Sequence, residues 1–81
     1  MVKLDYDPNF SKIFSKLDSN YKERLMKLIV KIINNPEIGK PMRNVRKGTK
    51  ELYLKPFRLS YTYLKQEDKI ILLDFYHKKK Q

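Results

Sequence analysis

The chain has 81 residues, of which 41% are hydrophobic, and a formal net charge of +10. This length suffices for one small domain, residues 1–81, and excludes a second. The sequence has neither a long apolar run nor a leading apolar stretch, so we expect no membrane span, no secretion and a cytoplasmic location. Because it contains no cysteine and only one histidine, we expect chemistry without a metal or another cofactor.

The positive charge is concentrated in the second part of the chain. Residues 38–81 contain twelve Lys or Arg side chains and four carboxylates, which gives +8 of the net +10. Residues 1–37 contain seven basic and five acidic side chains, as expected for a solvated helical surface. This regional charge predicts a polyanionic partner, and nucleic acid is the first to test.

The first part of the chain predicts a short strand and a helical hairpin. Residues 2–6 alternate apolar and polar side chains, and Asp7-Pro8 offers an N-cap followed by proline at the first helical position. Asn20 with Glu23 predicts the cap of a second helix, which Asn35-Pro36 ends. The apolar stripes consist of Phe10, Ile13, Phe14 and Leu17 on the first helix and of Leu25, Leu28, Ile29, Ile32 and Ile33 on the second.

The second part predicts a basic loop and three antiparallel strands. Residues 36–49 contain two prolines and both glycines of the chain, which favours a loop. Strands are predicted at residues 51–55, 57–64 and 69–77, with a polar turn at 65–68. Alternation in the middle strand puts Leu59 and Tyr61 on one face and Arg58 on the other. The run 70–73 is apolar on both sides, which predicts a central strand covered by the hairpin.

This order of elements resembles the RelE/ParE superfamily of toxins from type II toxin–antitoxin systems. The resemblance rests on Asn35-Pro36 with Gly39-Lys40-Pro41, on Phe57-Arg58-Leu59-Ser60-Tyr61 and on Phe75-Tyr76-His77-Lys78-Lys79. It implies an α+β fold with an N-terminal strand, a two-helix hairpin and a three-stranded antiparallel meander in a small twisted sheet. RelE-like members cleave mRNA on the ribosome, ParE-like members act on DNA gyrase, and an antitoxin neutralises both, so the fold alone does not choose the target.

The resemblance assigns three candidate catalytic residues. RNA cleavage without a metal requires a base for the 2′-OH proton, cations for the charge on the phosphorane and an acid for the departing 5′-oxygen. Arg58 matches the family's phosphate-binding strand arginine, and a guanidinium can hold two phosphate oxygens. His77 matches the terminal histidine of the YoeB-like branch, and histidine is a side chain that can act as an acid or a base, while Lys79 is nearest to a functional arginine of relatives. The alternatives are a surface arginine, a solvated histidine at the start of a charged tail, and a disordered basic tail.

Other site residues depart from the family pattern. Where RelE carries catalytic lysines, this chain has Glu51 and Tyr53, with Lys50 and Lys55 beside them. Either Glu51 serves as a carboxylate base, or Lys50 or Lys55 reaches into the site, or catalysis is weak or absent; we expect the second. Contacts to the RNA backbone are predicted for Arg43, Arg46, Lys47, Lys78 and Lys80, and Tyr76 or, as a substitute, Tyr53 is predicted to stack on a base.

The leading hypothesis is a metal-independent, ribosome-dependent endoribonuclease toxin. Its expected partners are mRNA on the ribosome and an acidic RelB-like antitoxin, in a heterotetramer of two toxins and an antitoxin dimer. The alternatives are a ParE-like inhibitor of gyrase and a basic nucleic-acid-binding module without toxicity. The leading hypothesis depends on the convergence of Arg58, His77 and the basic loop in one phosphate-binding hollow.

Overall fold

A computed structural model describes residues 2–41 and 48–77 of the chain. It contains strand β1 (Lys3–Tyr6), helices α1 (Pro8–Lys16) and α2 (Ser19–Asn34), a two-residue strand β2 (Lys40–Pro41), and strands β3 (Lys50–Leu54), β4 (Phe57–Leu64) and β5 (Lys69–His77). One turn of 3-10 helix, Lys65–Glu67, joins β4 to β5. The predicted order of an N-terminal strand, a helical hairpin and an antiparallel meander is confirmed. Neither helix is long and apolar enough to span a membrane.

The strands form one open sheet in the order β1-β5-β4-β3-β2. β1 runs parallel to β5, and the other neighbours are antiparallel. β5 therefore lies between β1 and β4, which confirms the central strand expected from its apolar run. The sheet extends beyond the predicted meander, because Lys40 pairs with Glu51 and Pro41 with Lys50. The prediction of loop throughout residues 36–49 was wrong there, since an edge strand tolerates a proline whose missing N–H faces away from the ladder.

Aspartates cap both helices. The Asp7 carboxylate accepts a hydrogen bond from the backbone N–H of Asn9, as predicted. The second cap differs from the prediction, because Asp18 accepts from the N–H of Tyr21 at 2.9 Å and Asn20 lies inside the helix. The Asp18 carboxylate, two residues before Asn20, satisfies a free N–H of an earlier turn, so helix α2 begins at Ser19.

The helical hairpin covers one face of the sheet and forms the core with it. The buried apolar side chains are Phe10, Leu25, Ile29 and Ile32 from the helices and Leu59, Tyr61, Ile70, Leu72 and Phe75 from the sheet. Ser60 pairs with Asp74 and Tyr61 with Leu72, so the ladder skips Leu73. This bulge lets Leu72 and Phe75, three residues apart, both face the helices.

The hydroxyl of Tyr61 fixes the segment that follows α2. It accepts a hydrogen bond from the backbone N–H of Gly39 and donates one to the carbonyl of Pro36, each at 2.9 Å. A Cβ on Gly39 would lie 2.7 Å from the Tyr61 oxygen, so glycine is required for this close approach. Burial raises the pKa of Tyr61, which keeps the phenol protonated as a donor.

Glu37 adds an electrostatic attachment to the same segment. Its carboxylate lies 2.9 Å from the ammonium of Lys65 and 3.6 Å from that of Lys50. The hydrogen bond and charge of Lys65, with a smaller contribution from Lys50, hold the pKa of Glu37 below its ordinary value. The turn after α2 is thus attached both to β3 and to the β4–β5 connection.

Candidate functional site

A polar cluster around Arg58 lies on the face of the sheet that the helices do not cover. Arg58 on β4 pairs directly with Tyr53 on β3 and with Tyr76 on β5. Glu51 lies two residues before Tyr53 and therefore shares its face. Directly paired side chains lie about 5 Å apart at Cβ, so three strands bring these groups together. We call Glu51, Tyr53, Arg58 and Tyr76 the Arg58 cluster.

The guanidinium of Arg58 has three contacts within this cluster. Its Nη2 donates to the hydroxyl oxygen of Tyr53 at 2.7 Å, and its Nη1 lies 3.3 Å from Oε1 of Glu51. Its Cζ also lies over the Tyr53 ring, 4.9 Å from the centroid. The Tyr76 hydroxyl donates to the other Glu51 oxygen, Oε2, at 3.3 Å. The carboxylate thus bridges an arginine and a phenol.

The cluster is largely shielded from water. The side chains of Arg58 and Glu51 are only 16% and 20% exposed, whereas about half of Tyr53 remains exposed. Burial acts to lower the pKa of Arg58, but the hydrogen bond to Tyr53 and the charge of Glu51 outweigh it and raise this pKa. Arg58 Nε is buried and has no hydrogen-bond partner among residues 2–41 and 48–77. The guanidinium is therefore a permanent cation with a donor still unused.

The structure does not bring His77 beside Arg58, so the expected convergence of these two residues was wrong. His77 pairs directly with Phe57, and its ring meets the Phe57 ring edge to face at 5.6 Å. Phe57 in turn contacts Tyr21 on α2. Because neighbours on a strand point to opposite faces, Tyr76 joins the Arg58 cluster and His77 faces the helical side.

The two lysines expected to replace the family's catalytic pair lie elsewhere. Lys50 pairs with Tyr61 on the helical face, where its ammonium contacts Glu37. Alternation excludes it from the face of its neighbour Glu51, so the expectation that Lys50 reaches into the site was wrong. Lys55 is exposed in the turn between β3 and β4. The remaining predicted positions lie outside the described residues: Arg43, Arg46, Lys47, Lys78, Lys79 and Lys80.

Two residues of the cluster are more closely involved in the site than the sequence predicted. Glu51 was one of three alternatives and Tyr53 a substitute stacking group, yet both contact Arg58 directly. The sequence signal was their shared parity on a predicted strand next to the Arg58 strand. That signal becomes decisive only with the strand register, which sequence patterns leave open.

The model of the ParE toxin family of type II toxin–antitoxin systems matches residues 5–81. This chain belongs to that family. The matched range includes the helical hairpin, the meander and every member of the Arg58 cluster. A search of curated proteins finds no significant match to the toxin.

Solved structures show that the toxin has the RelE fold. The intact Escherichia coli RelBE toxin–antitoxin complex contains a chain that matches with a TM-score of 0.82 and 22% identity over 95% of this chain and 96% of that one. The RelBE2 complex of Mycobacterium tuberculosis gives 0.85 and 18% over 95% and 98%. YafQ of E. coli BL21(DE3) gives 0.75 and 19% over 98% and 96%. The resemblance to the RelE/ParE superfamily is confirmed.

Proposed function

We propose that this toxin is an endoribonuclease that cleaves mRNA on the ribosome without a metal ion. The observation that supports it most is the Arg58 cluster, in which a guanidinium, a carboxylate and two phenols meet on the open face of a chain with net charge +10. These are groups that cleavage by a neighbouring 2′-OH uses: a cation, a base and a proton donor.

Each group has a role in the proposed reaction. Arg58 binds the non-bridging oxygens of the scissile phosphate and stabilises the charge that develops on them. The Glu51 carboxylate accepts the 2′-OH proton as the 2′-oxygen bonds to phosphorus, and the bond from phosphorus to the 5′-oxygen breaks. The Tyr76 hydroxyl protonates the departing 5′-oxygen, which leaves a 2′,3′-cyclic phosphate and a 5′-OH. Tyr53 holds the guanidinium in place.

The catalytic roles predicted for three other residues stay proposals, and the contacts support them less than the roles of the Arg58 cluster. His77 can contribute only by reaching around the strand end, because its ring packs against Phe57. Lys55 in the exposed turn is suited to a phosphate flanking the scissile one. For Lys79 the proposal rests on the family resemblance.

The decisive experiment maps mRNA 5′ ends in cells after induction of the toxin. We expect new 5′ ends with the wild type, none with Arg58→Ala and undiminished cutting with Arg24→Ala. Arg24 is a matched control because it also lies over a tyrosine ring, that of Tyr21 at 5.3 Å, but on helix α2. Growth arrest with intact mRNA would contradict the proposal.

Inhibition of DNA gyrase is the second candidate function. The matching family model, which bears the ParE name, favours it, and so does the absence of lysines at positions 51 and 53. A supercoiling assay with purified toxin separates the candidates, because a nuclease leaves gyrase active. Blocked supercoiling together with uncut mRNA would select the second. Normal growth on induction would instead favour a non-toxic nucleic-acid-binding module.

We also propose an acidic antitoxin as the partner of the toxin. An apolar groove of about 270 Å³ lies where β1 meets the two helices, lined by Tyr6, Phe10, Ser11, Phe14, Met26 and Ile29. Tyr6 and Met26 are about half exposed. The Lys22 ammonium lies 5.7 Å from the centroid of the Phe14 ring at this groove. An amphipathic helix with an apolar stripe and acidic flanks would complement both features.

Co-expression with an antitoxin tests this surface. Met26→Glu should weaken the complex by placing a carboxylate in the groove. Val30→Glu is the matched control, because Val30 is equally exposed on the same helix but does not line the groove. Equal loss of copurification in both variants would contradict the groove as the site. Light scattering on the wild-type complex tests the expected two-to-two stoichiometry, which a one-to-one mass would rule out.

A further inference from the structure

The Glu51 carboxylate occupies one of the two terminal nitrogens of Arg58 that a substrate phosphate would bind. Of the two terminal nitrogens of Arg58, Nη2 donates a hydrogen bond to Tyr53 and Nη1 donates one to Glu51. A carboxylate and a phosphate present the same oxygen acceptors to a guanidinium. The cation proposed to bind RNA is therefore already neutralised by an anion of the protein itself.

We propose that Glu51 is a resident competitor that a phosphate must displace from Arg58, so that the site rejects isolated phosphates and accepts a strand with several. This inference rests on the proposed phosphate-binding role of Arg58. A carboxylate attached to the next strand has a high effective concentration, which reduces the affinity of every phosphate for Arg58 by one common factor. A lone phosphate then binds too weakly, whereas flanking phosphates of a polynucleotide add enough affinity to compensate.

The contacts of Glu51 are the weakest in the cluster. Charge-assisted N–H···O bonds are typically about 2.7–2.9 Å long. The contact between Arg58 and Glu51 is 3.3 Å and involves one oxygen, whereas the contact with Tyr53 is 2.7 Å. The Tyr76 hydroxyl is also 3.3 Å from the carboxylate. Glu51 can therefore leave while Tyr53 keeps the guanidinium in place.

The displaced carboxylate can form an ion pair with another cation of the protein. Lys40 on β2 pairs directly with Glu51, so the two side chains share a face at the edge of the sheet. Lys40 is exposed and has no ion pair within the described part of the chain, and the cation nearest to Glu51 there is Arg58. Rotation of Glu51 from Arg58 toward Lys40 exchanges one ion pair for another. Release also leaves the Glu51 carboxylate near the bound phosphate, as its proposed role as a base requires.

The experiment measures binding by the purified toxin of two probes, inorganic phosphate by calorimetry and a short single-stranded RNA by fluorescence anisotropy. Glu51→Gln keeps the size of the side chain and removes its charge. We expect both probes to bind about tenfold more tightly, the value of one hydrogen bond to a charged group. Glu23→Gln is the matched control, because it removes the same charge from an exposed pair with Lys27 and should change binding little.

Two outcomes would overturn the proposal that Glu51 competes with phosphate for Arg58. If Glu51 only orients Arg58, Glu51→Gln will bind both probes no better than the wild type, and the proposal is overturned. If the double variant Glu51→Gln/Arg58→Ala keeps the gain, the effect is not at Arg58 and the proposal is equally overturned. Glu51→Ala replaces Glu51→Gln should the latter fail to fold. RNA cleavage is scored separately with the wild type, because Glu51→Gln removes the proposed base. RNA left uncut by the wild type, together with tighter phosphate binding by Glu51→Gln, refutes the nuclease and leaves the competitor role intact.

Discussion

The two faces of the sheet differ in what holds them together, and strand β4 shows the difference within two residues. Leu59 is fully buried against the helices, whereas its neighbour Arg58 lies in a polar cluster on the open face. The helical face is stabilised by apolar burial, which has no preferred direction. The open face depends on directional contacts between single atoms on three strands. Substitutions on the first face should therefore affect stability, and those on the second face should affect activity.

The largest effect is expected on the helical face. Leu59→Ala removes a fully buried side chain and should cost about 2–5 kcal/mol in the free energy of unfolding. A chain of this size has about 4–12 kcal/mol in total, so much of the protein would unfold near 37 °C. Urea unfolding followed by circular dichroism measures the loss. A loss below about 1 kcal/mol would show that the core does not depend on this position.

Arg58→Lys should show the opposite behaviour on the open face. It keeps the charge but loses the planar group that contacts Tyr53 and Glu51, so mRNA cleavage should fall about 10²–10³-fold. The melting temperature should change little. Cleavage rates in a reconstituted translation system, with Arg24→Lys as control, test this. Full activity of Arg58→Lys would remove the need for a fork-shaped cation.

Tyr61→Phe tests a polar group buried on the apolar face. Loss of the hydroxyl leaves the N–H of Gly39 and the carbonyl of Pro36 without partners, which should cost about 1–3 kcal/mol. Tyr63→Phe is the matched control, because its hydroxyl bonds to Asp68 at an exposed site and should cost a few tenths of that amount. Equal losses in urea unfolding would show that burial does not decide the cost.

His77→Phe tests whether a residue on the helical face takes part in cleavage. The new ring keeps the edge-to-face packing on Phe57, so the free energy of unfolding should change by less than about 1 kcal/mol. Cleavage should persist, because His77 does not share the face of Arg58. A folded variant without cleavage would restore the predicted catalytic role of His77 and show that its ring reaches the substrate around the strand end.

The smallest effect concerns pH and the segment after α2. The hydrogen bond from Lys65 depresses the pKa of Glu37 in the folded protein, so its contribution is present above the ordinary glutamate pKa, about 4.3, and is lost as pH falls through the folded value. Glu37→Gln should lower the melting temperature slightly at pH 7 and not at pH 3. Glu67→Gln, in the exposed 3-10 turn, serves as control. The same difference at both pH values would exclude this linkage.

Much of the fold was predictable from local patterns. The Asp7 cap, the end of α2 before Pro36, the two strand positions 57–64 and 69–77 and the central place of β5 all follow from propensity and periodicity. The errors concern a helix cap and an edge strand. Asp18 provides the cap expected from Asn20, and Lys40–Pro41 pairs with β3 although its composition favours a loop.

The site was predictable only in part. The sequence by itself determined the face of Arg58, because alternation along one strand is a local property that hydrophobic burial fixes. Only the tertiary structure decided which groups meet Arg58, because register and bulges depend on pairing between distant segments. Through that pairing Glu51, Tyr53 and Tyr76 join the arginine, while His77 and Lys50, each one residue away from a member of the cluster, lie on the opposite face.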